Sequence, residues 1–165
     1  MMWILCLTMS ASDPTLAARL RGFDTDLSPR TMSALVADPV GALLTVADDS
    51  TQPLFVRARA VALVGHYLES RTMTALLRLS RHQLPELRVK ALQGMKFFAQ
   101  KIPATAADPA YVGALSERLA DDDRFVRMQA VRVAAVVPSQ RSALRLLQTS
   151  EIDLGVRHTL DEALR

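Results

Sequence analysis

The stretch DDDRFVRMQAVRVAAVV, residues 121–137, decides the fold of this chain. Three aspartates open it, and a pattern with helical periodicity follows. At about 100° per residue, its small and aliphatic side chains share one stripe, at spacings i, i+4, i+7, i+8 and i+11. They are Val126, Ala130, Val133, Ala134 and Val137. The stretch therefore predicts an acidic loop followed by an amphipathic helix.

Arg127 falls at the edge of that apolar stripe. A buried guanidinium is costly unless carboxylates and hydrogen bonds satisfy it, and the acidic loop just before it offers such partners. Arg124, Gln129 and Arg132 lie on the remaining arc, and we expect them to face water. On this interpretation the three aspartates cap the helix and supply partners to Arg127, and they do not form a metal site.

The same pattern occurs four times when the chain is aligned on Arg57, Arg88, Arg127 and Arg157, at spacings of 31, 39 and 30 residues. A valine or leucine precedes each arginine, and an alanine or leucine follows three positions later. Self-similarity at a period near 30 residues indicates a tandem repeat. A two-helix unit cannot bury its apolar face alone, so such units stack on their neighbours.

Four predicted helix starts pair a capping residue with a proline at the first helical position. They are Asp13-Pro14, Ser28-Pro29, Asp38-Pro39 and Asp108-Pro109. Further helices are predicted at about 53–67, 70–80, 85–101, 143–147 and 154–165, and no stretch shows strand alternation. The sequence predicts an all-α fold, an α-solenoid of stacked antiparallel helix pairs. It has about four repeats plus an N-terminal helical cap, in one domain over 12–165.

The N-terminal segment 1–11 is apolar and too short to span a membrane. We interpret it as either a signal peptide or a start codon assigned too early. No basic residue precedes the apolar run, as one would in a signal peptide, which favours a cytoplasmic protein over an exported one. The single cysteine, Cys6, excludes a disulfide within one chain.

Charge is distributed unevenly along the chain, whose net charge is +3. Residues 1–53 carry three arginines against six aspartates, a net of −3, and residues 54–165 carry 17 basic against 11 acidic side chains, a net of +6. The excess in the second part is either an ordinary solvated helix surface or a mildly basic surface for an acidic partner.

The repeats resemble the HEAT repeats, in the short form also found in phycobilin lyases. Leu119-x-Asp121 through Val126-Arg127-x-x-Ala130 and three weaker counterparts carry the resemblance, over about residues 39–165. It implies that an acidic residue six positions before each arginine pairs with arginines along the stack. Asp121 and Glu151 hold that place before Arg127 and Arg157, whereas Thr51 and His82 hold it before Arg57 and Arg88. The four arginines and two acids are thus expected to be structural.

No catalytic motif is found in the sequence, and its three histidines stand alone. His66 is expected at a helix end, where the dipole favours a cation, and His82 and His158 are expected at the surface. Binding residues are instead expected two and five positions after the repeat arginines, with Lys96 one turn further on. These candidates are Arg59, Lys90, Gln93, Lys96, Gln129 and Arg132.

These residues predict a non-enzymatic scaffold, a monomer without metal or cofactor, that binds a protein, acidic in character, on the concave face of the inner helices. A nucleic-acid-binding HEAT-like module and a lyase-type accessory that handles a chromophore remain as alternatives. Interleaved acids and few aromatic residues disfavour nucleic acid.

Overall fold

The computed structural model describes residues 14–22 and 27–165. The apolar segment 1–11 with Cys6, and the predicted cap Asp13, lie outside the described residues. Ten α-helices occur in the described part: α1 Pro14–Arg21, α2 Pro29–Leu35, α3 Pro39–Asp48, α4 Leu54–Val64, α5 Ser70–Leu79, α6 Pro85–Lys101, α7 Pro109–Leu119, α8 Arg124–Ala134, α9 Arg141–Ser150 and α10 Leu154–Leu164. Short 3₁₀ helices cover Pro103–Ala107 and Pro138–Gln140. The all-α prediction is confirmed for these residues.

The predicted helix starts are confirmed where the structure describes them. The Asp38 carboxylate accepts the Gly41 N–H at 3.1 Å, and the Asp108 carboxylate accepts the N–H of Ala110 at 2.7 Å. These caps satisfy N–H groups that the first turn of a helix leaves without partners. Some boundaries differ from the prediction. Helix α4 ends at Val64 instead of about residue 67, α9 is longer than predicted, and α8 ends at Ala134, with the buried Val137 after a turn.

Four helices contact one another in series, α4 with α6, α6 with α8, and α8 with α10. We call them the inner helices. The preceding helix of each pair, α3, α5, α7 or α9, packs against its own inner helix, and α1 packs against α4. The residues before the four repeat arginines are all fully buried: Val56, Leu87, Val126 and Val156. The sequence repeat therefore corresponds to repeated packing positions in one continuous core.

Two glycines set the closest approach between consecutive inner helices. A Cβ atom at Gly65, just after α4, would lie 2.6 Å from the Cα of Gly94 in α6. A side chain at Gly65 would therefore push two backbones apart.

None of the described helices has by itself the length and hydropathy to cross a membrane. Taken together, α2 and α3 reach both, but the pair is bent by 90° at the break between them.

Candidate functional site

Three of the repeat arginines contact side chains from the loop that leads into the next inner helix, two of them by hydrogen bonds to carboxylates. Arg127 donates from Nε and Nη2 to the two carboxylate oxygens of Glu151, at 2.8 and 3.0 Å. Arg88 donates from Nη2 to Asp121 at 2.7 Å. Arg57 lies with Nη2 3.4 Å from Nε2 of His82. We call these three pairs the arginine ladder.

The acidic loop before Arg127 contacts this arginine in a different way from the one predicted. The acidic loop gives Arg127 only backbone carbonyls, those of Asp121 at 2.9 Å and Asp122 at 3.1 Å. The carboxylate of Asp121 accepts from Arg88 in the preceding repeat and from Arg118 in α7, the helix that packs against α8. The prediction that the loop's carboxylates neutralise Arg127 is therefore wrong, since that carboxylate comes from Glu151.

Each ladder partner also braces its own loop. The side chains of Asp121 and Glu151 accept the N–H two residues further on, at 3.0 and 2.9 Å. Nδ1 of His82 does the same with the N–H of Leu84, at 3.0 Å. One residue per repeat therefore fixes both the loop geometry and the junction with the preceding helix.

His82 is half-buried and structural, so its prediction as a surface residue is wrong. Because Nδ1 accepts a hydrogen bond, the neutral ring carries its proton on Nε2, the atom that faces Arg57. Two donors therefore face each other, so this is a packing contact, and Arg57 makes its hydrogen bond from Nε to the backbone carbonyl of Ala47 at 2.9 Å. Burial lowers the pKa of His82, and the positive charge of Arg57 lowers it further. Arg57 thus faces a neutral ring, whereas Arg88 and Arg127 face carboxylates.

Arg157, the fourth repeat arginine, is not part of the arginine ladder. Its side chain is exposed, and among the described residues no carboxylate lies within 4.0 Å of it. Glu151, the acid six positions before Arg157, binds Arg127 of the preceding repeat. The structural role expected for Arg157 is therefore not seen in the described part of the chain.

Basic residues are concentrated on α4, α6 and α8. These helices carry nine basic side chains, two in α4, four in α6 and three in α8, against one acid, Glu86. Three of the nine belong to the ladder, and Arg124 lies 3.7 Å from Asp153. The other five have no carboxylate within 4.0 Å among residues 14–22 and 27–165. These five are Arg59, Lys90, Lys96, Lys101 and Arg132.

Four of the six predicted binding residues remain accessible on α6 and α8. Gln93 and Arg132 are exposed, and Lys90 and Lys96 are half-exposed. Nζ of Lys90 donates to the side-chain carbonyl of Gln93 at 3.2 Å. We call Lys90, Gln93, Lys96 and Arg132 the basic surface.

The other two predicted binding residues serve the fold. Gln129 is 6% exposed, so the expectation that it faces water is wrong. Arg59 is half-buried and donates to the backbone carbonyls of Leu20 and Gly22 at the end of α1. Both residues lie two positions after a repeat arginine. Lys90 holds the same position after Arg88 and is half-exposed, so the burial of this position differs from one repeat to the next.

An aromatic group beside the basic surface was not predicted. Phe97 is half-exposed, and the ring of His66 meets it edge-on, with centroids 5.2 Å apart. Nζ of Lys101 lies 5.7 Å from the centre of the Phe97 ring. The spacing of Gln93 and Phe97, one helical turn, was the sequence signal that both share the exposed arc of α6.

The arginines of α5 and α7 are, by contrast, neutralised by acids. Arg71 pairs with Asp38 at 2.6 Å, and Arg78 pairs with Asp48 at 2.8 Å. Arg118 in α7 pairs with Asp121 at 2.8 Å. Arg141 and Arg145 on α9 are exposed and, within the described residues, have no carboxylate within 4.0 Å either.

Within the described residues, no group of three or more His, Cys, Asp or Glu side chains is placed to hold a metal ion. No protein-family model matches the chain, and no curated protein matches its sequence. Its function is therefore argued from the basic surface itself.

Proposed function

We propose that this chain is a short HEAT-like solenoid that acts as a non-enzymatic scaffold and binds an acidic protein segment on its inner helices. The observation that carries the proposal is the unneutralised charge of the basic surface. Lys90, Lys96 and Arg132 on α6 and α8 reach water and have no carboxylate within 4.0 Å among the described residues, whereas the arginines of α5 and α7 have carboxylate partners.

The stacking of the repeats supports the solenoid part of the proposal. Consecutive inner helices contact each other, and a ladder rung joins each of the first three to the loop before the next. Side-by-side inner helices turn exposed residues from separate repeats into one extended surface. A binding surface of this kind suits a segment that runs across several helices.

The chemistry of the surface favours a segment with several carboxylates. Lysine and arginine side chains in water attract acidic partners over long range and speed their association, with a marked dependence on salt. Phe97 and His66 add an apolar contact beside the charges. We therefore expect the partner segment to combine acidic residues with an apolar or aromatic one.

The test is the binding of a fluorescein-labelled polyglutamate peptide, followed by fluorescence anisotropy. The variant carries Lys90→Glu, Lys96→Glu and Arg132→Glu. We expect it to lose most of the affinity. The wild-type affinity should fall as salt is raised.

A matched control changes net charge equally elsewhere, with Arg30→Glu, Arg145→Glu and Arg165→Glu at exposed positions. This control should keep most of the affinity. Equal losses in the two triple variants would contradict the assignment of the surface. Tighter binding of a single-stranded DNA probe than of polyglutamate would favour nucleic acid as the partner class.

A further inference from the structure

The exposed side of α10 carries a self-complementary row of side chains. Leu154, Arg157, Asp161 and Leu164 follow one another at spacings i, i+3, i+7 and i+10. This is the a and d spacing of a coiled-coil seam, so the four lie on one stripe. Leu154 is 79% exposed, Arg157 and Asp161 are exposed, and Leu164 is half-exposed.

The row complements itself when it is reversed. In two antiparallel copies of α10 crossing at Thr159, each residue meets the one equally far on the other side of that position. Arg157 then meets Asp161 of the second copy, and Leu154 meets Leu164 of the second copy. A two-fold axis repeats both contacts, which gives two ion pairs and two leucine contacts.

The arginine ladder gives an independent reason for a partner at this place. Arg57, Arg88 and Arg127 each face a side chain from the next repeat, whereas Arg157 faces no carboxylate within the described residues. Asp161 accepts a hydrogen bond from Nε2 of Gln148 at one oxygen, Oδ1, at 2.7 Å. Its second oxygen is free to accept from an arginine of another chain.

We propose that α10 pairs antiparallel with α10 of a second copy of this chain, with Arg157 of each copy on Asp161 of the other. The result is a weak, salt-sensitive homodimer, in place of the monomer expected from the sequence. The seam is short, and exposed ion pairs are individually weak. The dimer does not depend on the basic surface, and either proposal can fail without the other.

The test is sedimentation equilibrium of the purified chain, with concentrations from micromolar to millimolar. The average mass should rise from 18.1 kDa toward twice that value. Arg157→Glu and Asp161→Arg should each weaken dimerisation at least tenfold. Arg145→Glu on α9, an exposed position outside the seam, should leave dimerisation unchanged.

Mixing the two seam variants gives the decisive result. In a pair of one Arg157→Glu chain and one Asp161→Arg chain, both ion pairs are present, one between the two substituted side chains with its charges exchanged and one between the unchanged Asp161 and Arg157 as in the wild type. The equimolar mixture should therefore form heterodimers where each variant alone is monomeric. Circular dichroism verifies that both variants are folded. A wild-type chain that stays monomeric throughout the range, or a mixture that stays monomeric, overturns the proposal.

Discussion

Replacing Asp121 by alanine should destabilise the fold far more than replacing its neighbour Asp122. The Asp121 side chain is 3% exposed and accepts from Arg88 at 2.7 Å, from Arg118 at 2.8 Å and from the backbone N–H of Asp123 at 3.0 Å. Its removal leaves two guanidinium groups, 12% and 18% exposed, without their main carboxylate. The Asp121 carboxylate therefore connects α6, α7 and the loop before α8.

The expected loss follows from these contacts. Breaking a buried ion pair from one side costs roughly 3–5 kcal/mol. Here Arg88 keeps two backbone carbonyls and Arg118 keeps Glu117 at 3.6 Å, so the lower end applies. We expect Asp121→Ala to lower the free energy of unfolding by about 3 kcal/mol. This is a large share of the roughly 5–15 kcal/mol of a typical domain.

The rest of the triplet supplies matched controls. Asp122 is exposed and bonds Arg127 through its backbone carbonyl, which alanine retains, so Asp122→Ala should change stability by less than about 0.5 kcal/mol. Asp123 caps α8 by accepting two backbone N–H groups, so Asp123→Ala should cost about 1 kcal/mol. Urea unfolding followed by far-UV circular dichroism measures all three. An Asp121→Ala loss no larger than that of Asp122→Ala would refute the ladder as a source of stability.

Four further predictions concern stability. Gly65→Ala should cost about 1–3 kcal/mol in urea unfolding, because its Cβ meets the backbone of Gly94, whereas Gly113→Ala, in open space on α7, should stabilise by about 1 kcal/mol; equal effects would contradict the close approach. His82→Asp should stabilise by about 1 kcal/mol, because it gives Arg57 a carboxylate, and a destabilised variant would speak against the first rung. The lowered pKa of His82 means that the unfolded chain binds a proton at this residue more readily than the folded chain does. Wild-type stability should therefore fall as pH drops through the ordinary histidine value of 6.5. His82→Gln should remove this pH dependence. The hydrogen bond from Arg127 lowers the pKa of Glu151, so its contribution is present above the ordinary value of 4.5 and lost as pH falls below it; Glu151→Gln should flatten that acid limb, and an unchanged limb would contradict the pairing.

Local sequence signals were sufficient for most of the secondary structure. Pro29, Pro39 and Pro109 begin helices because proline fits the first turn, and the preceding serine or aspartates accept backbone N–H groups there. The repeat spacing also located equivalent core positions, because the residue before each arginine is buried in all four copies. The first signal acts within a few residues, and the second compares equivalent positions about 30 to 39 residues apart.

Side-chain partners were harder to predict because they depend on which repeat lies next to which. The sequence shows that Asp121 precedes Arg127 by six residues, but the turn of the loop directs its carboxylate to Arg88, 33 residues earlier. Gln129 falls on the polar arc of α8, yet that arc is covered in part by neighbouring helices. His82 carries no charge that would mark it as a neighbour of Arg57, so this contact was found only in the packed structure.

Two-dimensional amide NMR tests most directly whether an acidic peptide binds at the basic surface. Unlabelled polyglutamate is titrated into the isotope-labelled chain, and the shifted backbone amides are assigned. We expect the shifted amides to be concentrated on α6 and α8 around Lys90, Lys96 and Arg132, with little change on α5 and α7. Shifts confined to α5 and α7, or none at all at low salt, would contradict the central claim that the basic surface binds an acidic partner.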